Sequence, residues 1–441
     1  MDLSGRQVLV MGMGRSGEAA ARCALRQGAS VICTDTREDA PIIEGASHTY
    51  GHHDIDEFIT ADLVIVSPGI PAKAPPVQAA INAGVLVLSE LAFAAQQVQD
   101  RDIPIIAVTG TNGKSSVTWF IGQLLKMAGR NAFVGGNIGT PLSMLADSQT
   151  TPDLAVVEVS SYQLELPGKF APQAAAILNL APDHLGRHGT MSEYAKTKMD
   201  LFANMTADGF AATPPISGAN PDGLLGHADT AAQHLSLNGS PGVQRQGDVL
   251  ILTGTPDDGE INISGLQLLG EHNQDNAAAA ALLCVCAGIP RNEIDVGVLS
   301  ALPHRLEPVH NRHGITWIND SKATNIDAAY VGISGVVQPA IVLLGGAGKP
   351  GSDYARLRPL LDSTSHRVIC FGAAGNEIAD ALAITGTQRV PTLSDAVDLA
   401  ARLAQTGDVV LLSPACASFD EFDNFEHRGR EFAAMAQEAS P

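Results

Sequence analysis

The sequence predicts an α/β protein of three domains, in which helices cover buried parallel sheets. Three series of short apolar strands occur along the chain, and longer alanine-rich segments separate the strands within each series. This alternation is typical of βαβ units with a parallel sheet. The length of 441 residues agrees, because a domain usually takes about 150 residues. We therefore expect domains at residues 1–93, 94–302 and 303–441.

The strands of each series are read from apolar runs. The first series predicts an N-terminal Rossmann-like domain from VLVMGMG, SVICTD, LVIVSPG and VLVLSE. The second predicts a central domain of the P-loop ATPase type from PIIAVTG, AFVGGN, LAVVEVS and AAILNL. The third predicts a C-terminal Rossmann-like domain from ITWIND, AIVLLGG, RVICFG and VVLLSPA. Residues 213–270 are rich in Gly, Pro and Asp with short strand-like pieces, so we expect a β-rich appendage of the central domain there.

Composition excludes several classes of function. A formal net charge of -20 repels nucleic-acid phosphates and anionic lipid surfaces, so we expect neither as a partner. The six cysteines show neither a zinc-type spacing nor a dense disulfide framework. The longest uncharged apolar run, residues 277–289, is shorter than the ~18 residues that suggest a membrane span. Without a signal-peptide pattern, the sequence predicts a cytoplasmic protein that does not insert into a membrane.

A glycine-rich turn follows the first predicted strand. GMGRSG, residues 12–17, opens a helix, and Asp35 ends the next strand, so the dinucleotide-binding fingerprint is complete. That pattern alone suggests NAD, but glycines at a helix N-terminus let backbone N–H groups approach any diphosphate. Any nucleoside diphosphate therefore fits this turn, and a tight turn without a ligand is the alternative.

A second glycine-rich loop is the stronger signal. GTNGKSS, residues 110–116, lies between a strand and a helix-competent segment, which places backbone N–H groups and Lys114 around phosphate oxygens. Ser115 then stands where a magnesium ligand is expected. The glycines are closer together than in the common phosphate loop, so a coincidental turn is the alternative. Glu158 ends a later apolar strand, from which a carboxylate can reach magnesium.

Two further polar residues follow, in DHLGRHG and SEYAKTKMD. Taken alone, His184 reads as a helix cap or a surface residue, and Lys198 reads as a solvated side chain. Because both follow a phosphate loop and a strand-end glutamate, we favour a role for them in chemistry.

With these motifs in order, the sequence closely resembles the Mur ligase family over nearly the whole chain. The resemblance rests on GMGRSG, SPGIP, GTNGKSS, GGNIG, EVSSYQLE, DHLGRHG, GEHNQDNAAAA, LPHRLE, NDSKATN, LLGGAGK and LLSPACASFDEFDNFEHRG. NDSKATN and the last motif favour the member that adds D-glutamate. The resemblance implies a ligase in which ATP phosphorylates the carboxylate of UDP-N-acetylmuramoyl-L-alanine. The amine of D-glutamate would then attack the acyl phosphate, in cytoplasmic peptidoglycan precursor synthesis.

The resemblance also assigns residues to this reaction. It implies catalytic roles for Lys114, Glu158, His184 and Lys198, and two magnesium sites held by Ser115, Glu158, His184 and Lys198 as a carbamate. Lys196 is the alternative carbamate, and motif spacing favours Lys198. The implied ATP-binding residues are Gly110, Thr111, Asn112, Gly113, Lys114, Ser115, Ser116, Asn273, Arg305, Asp320 and Lys322.

The implied substrate residues form two groups. Those for the UDP-linked substrate are Arg15, Ser16, Asp35, Thr36, Arg37, Ser67, Gly69, Asn137, Ser160 and Gln163. Those for D-glutamate are Thr324, Lys349, Ser418 and Phe425. UDP presents a diphosphate and a ribose, so the first glycine-rich turn would serve UDP. The chain departs from the family pattern at Gly186, where aspartate is usual, and at Ala347 with the extra-looking Pro350-Gly351. We expect a monomer acting on small molecules.

Other interpretations share part of the evidence. A sister ligase, or a synthase of the folylpolyglutamate type, shares TGTNGKS but is disfavoured by the C-terminal motif. The assignment as an NAD-dependent dehydrogenase does not explain the second glycine-rich loop. A nucleotide-binding regulatory module without turnover has no need of Lys114, Glu158, His184 and Lys198 together.

Overall fold

The computed structural model describes residues 1–220, 223–226, 230–266, 268, 270–336, 338–349, 351–362 and 366–439. It contains three mainly parallel sheets with helices between the strands, which confirms the predicted α/β class. The chain divides into two compact units, Met1–Leu266 with Asp275–Leu299 and Gln267–Gln274 with Ser300–Pro441. The first two sheets belong to the first unit, and the third belongs to the second.

The first sheet has five parallel strands, β1 (Gln7–Met11), β2 (Ser30–Asp35), β3 (Ser47–Tyr50), β4 (Leu63–Val66) and β5 (Leu86–Ser89). Its helices are α1 (Arg15–Arg26), α2 (Ile55–Thr60), α3 (Pro75–Asn82) and α4 (Glu90–Gln99). The strand order is β3-β2-β1-β4-β5, so the direction of winding reverses between β1 and β4. Open α/β sheets bind ligands at such a reversal, beyond the carboxyl ends of the strands.

The central sheet has nine strands, β6 (Ile105–Thr109), β7 (Ala132–Gly136), β8 (Leu154–Glu158), β9 (Ala174–Ile177), β10 (Phe210–Thr213), β11 (Gln233–Ser236), β12 (Gly242–Gln246), β13 (Val249–Thr253) and β14 (Gly259–Asn262). Its helices are α5 (Lys114–Met127), α6 (Leu142–Asp147), α7 (Leu185–His188), α8 (Met191–Met199) and α9 (Glu271–Cys286). The order is β14-β13-β12-β11-β10-β9-β6-β8-β7. The strands of the predicted β-rich appendage therefore extend the central sheet.

The third sheet has six strands, β15 (Glu307–Arg312), β16 (Ile315–Asn319), β17 (Ala340–Gly345), β18 (Arg367–Phe371), β19 (Gln388–Arg389) and β20 (Val409–Ala415). Its helices are α10 (Ile326–Ser334), α11 (Arg358–Asp362), α12 (Gly375–Leu382), α13 (Leu393–Leu403) and α14 (Phe425–Glu438). The order is β15-β16-β20-β17-β18-β19, and only the pairing of β15 with β16 is antiparallel among the described strands of this sheet.

Burial explains which strands the sequence reveals. Strands β4, β6, β8, β17 and β20 are buried along their whole length, and each is an apolar run. Strands β3, β15 and β19 are polar, lie at sheet edges and were not predicted from the sequence. The short strand β10 was also missed, although it is buried. No described helix combines the length and the apolar character needed to cross a membrane.

The turn between β1 and α1 is close-packed around a glycine. Gly12 has a φ of 88°, and its carbonyl oxygen accepts a hydrogen bond from Ser67 Oγ at 2.7 Å. A Cβ atom built on Gly17 would lie 1.9 Å from that same oxygen. The third glycine of GMGRSG therefore lets α1 approach the turn closely, as the dinucleotide-binding fingerprint requires.

We predict that Gly17→Ala lowers the free energy of unfolding by about 2 kcal/mol or more, because the new methyl group overlaps a backbone oxygen that cannot move independently. Gly14→Ala is the matched control, since a Cβ there meets nothing within 4 Å. It should cost about 1 kcal/mol or less, the loss expected at a helix N-cap. Chemical denaturation of both variants measures the difference, and equal losses would contradict the close-packing argument.

Candidate active site

The second glycine-rich loop lies at the carboxyl edge of the central sheet, between β6 and α5. Gly110 and Gly113 have φ angles of 152° and 84°, which turn the chain sharply before α5 begins at Lys114. The Nζ atom of Lys114 donates to the carbonyl oxygens of Gly110 and Thr111 at 2.9 and 2.8 Å. The N–H groups of the first helical turn and the Lys114 amine thus border the same loop, an arrangement suited to phosphate.

A segment after β9 holds this loop in place. The backbone N–H of Asn112 donates to Oδ1 of Asn179 at 2.8 Å, and Nδ2 of Asn179 donates back to the carbonyl of Asn112 at 3.0 Å. The hydroxyl of Thr111 accepts from the N–H of Ala181 at 3.0 Å. Asn179 was not predicted from the sequence, because an asparagine at a strand end carries no signal of its long-range partner.

Glu158 lies beside the loop because β8 pairs with β6, in a register that places Glu158 opposite Val108. The side chain is buried, and its Oε1 atom accepts from Nδ2 of Asn137 at 2.9 Å. Its Oε2 atom is buried without a hydrogen-bond partner. A buried carboxylate oxygen without a donor suits a cation ligand.

The protein carboxylates near Glu158 supply only part of the oxygen ligands that a magnesium ion needs. No group of three His, Cys, Asp or Glu side chains gathers for a metal anywhere in the described part of the chain. A magnesium ion at Glu158 would therefore need further oxygens, such as the Ser115 hydroxyl, phosphate, water or a modified lysine.

Lys198 projects from α8 into the same region and is 1% exposed. Its Nζ atom donates to the carbonyl of Gly110 at 3.0 Å and lies 4.5 Å from the ring centre of Tyr194. Burial, and then the charge of Lys114, hold the pKa of Lys198 well below its usual range. Lys196, the alternative carbamate, is exposed.

His184 lies at the start of α7 and has a φ of 55°. Its Nδ1 atom is 3.0 Å from the hydroxyl of Tyr162, and its Nε2 atom is 3.3 Å from Oδ2 of Asp183. His188 is buried with Nε2 3.0 Å from the hydroxyl of Ser161, and burial lowers the pKa of His188. Both histidines lie in the DHLGRHG motif, but only His184 was predicted to be a site residue.

Ser160 and Gln163, which are predicted to contact the sugar-peptide part of the substrate, follow β8. The N–H and hydroxyl of Ser160 both donate to Oε1 of Gln163, at 2.9 and 3.0 Å. Asn137 also donates to Glu158. Three predicted substrate residues therefore lie around the end of β8, which carries the predicted metal ligand Glu158.

Asp35 ends β2, and its carboxylate accepts hydrogen bonds from residues in the loops that follow β1 and β2. Its Oδ2 atom accepts from the N–H of Met13 at 2.7 Å, and the Arg37 guanidinium binds both carboxylate oxygens at 3.0 and 3.1 Å. The hydrogen bond from Arg37 lowers the pKa of Asp35 to about 2. The remaining predicted UDP residues, Arg15, Ser16, Thr36, Ser67 and Gly69, follow β1, β2 and β4 at the same sheet edge.

Asp320 follows β16 in the third sheet and is 4% exposed. Its Oδ2 atom accepts from the hydroxyl of Ser413 at 2.8 Å, and its Oδ1 atom accepts from the N–H of Leu306 at 3.3 Å. Burial raises the pKa of Asp320 to about 7.

A buried arginine joins the loops at the carboxyl edge of the third sheet. Arg428 donates to the hydroxyl and carbonyl oxygens of Ser321 at 2.9 and 2.8 Å, and to the carbonyls of Cys416 and Ala417 at 3.1 and 3.0 Å. Ala417 in turn exchanges two backbone hydrogen bonds with Ala347, at 2.9 and 3.1 Å. Arg428 lies in the C-terminal motif LLSPACASFDEFDNFEHRG, but no role for it was predicted from the sequence.

The residues predicted for D-glutamate lie on these joined loops. Thr324 follows β16, Lys349 follows β17, Ser418 follows β20, and Phe425 begins α14. Lys322 has its Nζ atom 5.8 Å from the Phe425 ring centre. Asn273 lies in the first turn of α9, and Arg305 precedes β15. Pro350 lies outside the described residues.

Comparison with known proteins identifies the family. Over 98% of its length the chain is 37% identical to the "UDP-N-acetylmuramoylalanine--D-glutamate ligase" of Desulfosudis oleivorans, 96% of which is covered. The chain belongs to the Mur ligase family. An Escherichia coli protein of the same description is 36% identical, with 99% of both chains covered. Three family models agree, the MurD-like N-terminal domain at residues 6–89, the Mur ligase middle domain at 108–284 and the glutamate ligase domain at 304–416.

Solved Mur ligase structures share the fold. The MurF ligase of Thermotoga maritima, solved in complex with ADP, superposes with a TM-score of 0.62 at 16% identity, covering 99% of this chain and 96% of that one. The UDP-N-acetylmuramate-alanine ligase MurC of the same organism gives a TM-score of 0.57 at 18% identity, covering 99% and 100%. The chain therefore has the α/β architecture of the Mur ligases.

We predict that Asp320 makes this Mur ligase less stable as the pH rises. Because the pKa of Asp320 is raised in the folded state, the folded protein keeps a proton that the unfolded chain loses above the ordinary pKa of 3.8. The contribution of Asp320 to stability is therefore fully present below pH 3.8 and is lost as the pH rises to about 7. The unfolding free energy of the protein relative to Asp320→Asn should fall by roughly 1.4 kcal/mol per pH unit within this window. Denaturation of both proteins between pH 4 and pH 8 measures it, and parallel curves would contradict the prediction.

Proposed function

We propose that this Mur ligase joins D-glutamate to UDP-N-acetylmuramoyl-L-alanine, using ATP, in cytoplasmic peptidoglycan precursor synthesis. The observation that carries the proposal is that relatives described as D-glutamate ligases of UDP-N-acetylmuramoylalanine match the chain almost from end to end at 34–38% identity. The products are the extended UDP-linked peptide, ADP and inorganic phosphate.

The chemistry proceeds through an acyl phosphate. A carboxylate is a poor electrophile, because its oxygen is a poor leaving group. Transfer of the γ-phosphoryl group from ATP to the alanyl carboxylate releases ADP and turns that oxygen into part of a phosphate. The D-glutamate amine then attacks the acyl carbon, the carbon–oxygen bond to phosphate breaks, and the nitrogen loses a proton. Stabilising the charge of the transferred phosphoryl group is the main demand on the protein.

The phosphate loop meets this demand with N–H groups and a cation. On binding ATP, Lys114 would exchange its two bonds to loop carbonyls for bonds to phosphate oxygens, while the backbone of residues 110–116 cradles them. Ser115 and Glu158 would hold one magnesium ion, and His184 with Lys198 would hold a second. Bound magnesium neutralises charge on the phosphoryl oxygens. The unpartnered Oε2 atom of Glu158 supports this assignment.

Lys198 would take part as a carbamate, in which its amine has added carbon dioxide. Two features support this assignment. The Lys198 amine is buried, and its hydrogen bonds go to neutral oxygens, the Gly110 carbonyl and, at 3.4 Å, the Thr109 hydroxyl. A carbamate would replace a positive charge beside Lys114 with a negative one, and would supply the oxygen ligand that the local carboxylates do not.

The first domain would bind the UDP end of the substrate. The turn of residues 12–17 offers N–H groups to the diphosphate, and Arg15, Ser16, Thr36, Ser67 and Gly69 are proposed contacts at the same sheet edge. Asp35 and Arg37 already bond each other, so their proposed contact with UDP would be made as an ion pair. Asn137, Ser160 and Gln163 would contact the sugar-peptide part.

The C-terminal domain would bind D-glutamate. Two carboxylates need a cation and hydroxyl donors, which Lys349, Thr324 and Ser418 supply, and Phe425 provides an apolar wall. Asn273, Arg305, Asp320 and Lys322 are proposed to contact the nucleotide. Domain boundaries near residues 93 and 303, a monomeric state and a cytoplasmic location complete the proposal. The MurD-like N-terminal model ends at residue 89 and the glutamate ligase model begins at residue 304, which supports these two domain boundaries.

We predict that D-glutamate supports phosphate release and product formation with UDP-N-acetylmuramoyl-L-alanine and ATP, whereas L-glutamate, L-lysine and meso-diaminopimelate do not. L-glutamate has the same charges, but with its carboxylates held its amine would point away from the acyl carbon. Lys114→Met is the inactive control, with turnover reduced by at least about 100-fold because the charge on ATP is no longer balanced. Efficient use of L-lysine or diaminopimelate would move the chain to a sister ligase.

The carbamate gives a separate prediction. Lys198→Ala should lose activity, and a small added carboxylic acid should restore part of it, because the acid places an oxygen anion in the vacated space. Lys196→Ala is the matched control on the exposed side of the same helix and should retain activity. Steady-state turnover with and without the acid measures the effect. Full activity of Lys198→Ala, together with acid rescue of Lys196→Ala, would show that the wrong lysine has been assigned.

A further inference from the structure

One side chain holds the loop after β4, residues 67–72, against the central domain. We name these residues the substrate loop, because Ser67 and Gly69 are the proposed UDP contacts. The guanidinium of Arg187, on α7, donates to the carbonyls of Gly69 and Ile70 at 3.1 and 2.8 Å. A single side chain thus bonds two successive carbonyls of the substrate loop.

Glu165 completes the contact from the other side. It accepts two hydrogen bonds from Arg187, at 2.7 and 3.0 Å, and a third from the N–H of Ala72 at 3.0 Å. The side chains of Arg187 and Glu165 are only 14% and 16% exposed, so water screens the pair little. Gly69 and Ile70 are therefore bonded to Arg187, and Ala72 is bonded to Glu165, so one ion pair holds this part of the substrate loop. Only an arginine fork can donate in all of these directions at once.

The same arginine contacts the neighbourhood of the proposed metal ligand. Its Cζ atom lies 4.4 Å from the ring centre of Tyr162, whose hydroxyl is 3.0 Å from Nδ1 of His184. Arg187 also follows His184 by one helical turn. The substrate loop and His184 are therefore fixed to one rigid group of side chains.

We propose that Arg187, oriented by Glu165, is a positioning residue that sets the substrate loop for the UDP-linked substrate. The inference rests on the proposed function, since it concerns the binding of that substrate. Arg187 acts through the backbone of residues 69 and 70, and it needs no contact with the reacting atoms.

The test compares Michaelis constants for the three substrates. Arg187→Ala should raise KM for the UDP-linked substrate by at least about 10-fold, because the substrate loop loses its fixed position, and should leave KM for ATP within about 2-fold. Arg187→Lys should lie between, because an ammonium cannot bond the carbonyls and the carboxylate together. Should Arg187→Ala not fold, Arg187→Lys decides, and an unchanged KM for the UDP-linked substrate would overturn the proposal.

A matched control and a double variant sharpen the result. Arg26 forms an ion pair of 2.7 Å with Asp147, which also joins a helix of the first sheet to a helix of the central sheet but lies away from the substrate loop. Arg26→Ala should leave all three constants unchanged. If Arg187 and Glu165 act as one group, Arg187→Ala/Glu165→Ala should raise KM no further than Arg187→Ala alone. Independent, multiplying effects, or equal rises in all three constants, would overturn the proposal.

Calorimetric binding of the UDP-linked substrate, without ATP or amino acid, separates this inference from the proposed function. Weaker binding to Arg187→Ala than to Arg26→Ala supports the inference even if D-glutamate is not the amino acid used. Equal binding to both overturns it. Absence of ligation by the unchanged protein, with the binding difference intact, counts against the proposed function alone.

Discussion

Parallel strands must all end at the same edge of a sheet, and the candidate active site depends on this constraint. In the central sheet, β6 ends at the second glycine-rich loop, β8 ends at Glu158, and β9 leads to Asn179. The register of these strands therefore sets the separation of the groups before any side-chain contact forms. Hydrogen bonds such as those between Asn112 and Asn179 then fix details that the sheet leaves open.

Charge is distributed unevenly around the second glycine-rich loop. Lys114 and Lys198 both donate to the Gly110 carbonyl, while the nearby Glu158 has an oxygen with no donor. Burial lowers the pKa of Lys198, and the charge of the neighbouring Lys114 amine lowers it further. The proposed binding of phosphate and magnesium would use this arrangement of two amines and one carboxylate oxygen without a donor. The net charge of -20 makes this local arrangement necessary.

The sequence predicted the fold and the locations of the glycine-rich loops well, because buried parallel strands and phosphate turns have strong local patterns. Strands β3 and β15 escaped prediction, since edge strands tolerate polar residues such as those in SHTY and EPVHNR. Arg187 and Arg428 escaped as well, because each binds backbone carbonyls, those of Gly69 and Ile70 for Arg187 and those of Ser321, Cys416 and Ala417 for Arg428. Carbonyls are present at every residue, so no residue type marks them in advance.

Arg428 has a consequence for ligand binding at the third sheet. Loops at sheet edges usually sample many conformations, and a ligand that orders them loses part of its binding energy to that entropy. Here a fully buried guanidinium on α14 bonds the backbone at Ser321, Cys416 and Ala417. The conformational entropy of these loops is therefore lost during folding of the chain. When a small, flexible ligand binds at this edge, the conformational entropy that is lost is therefore mainly that of the ligand itself.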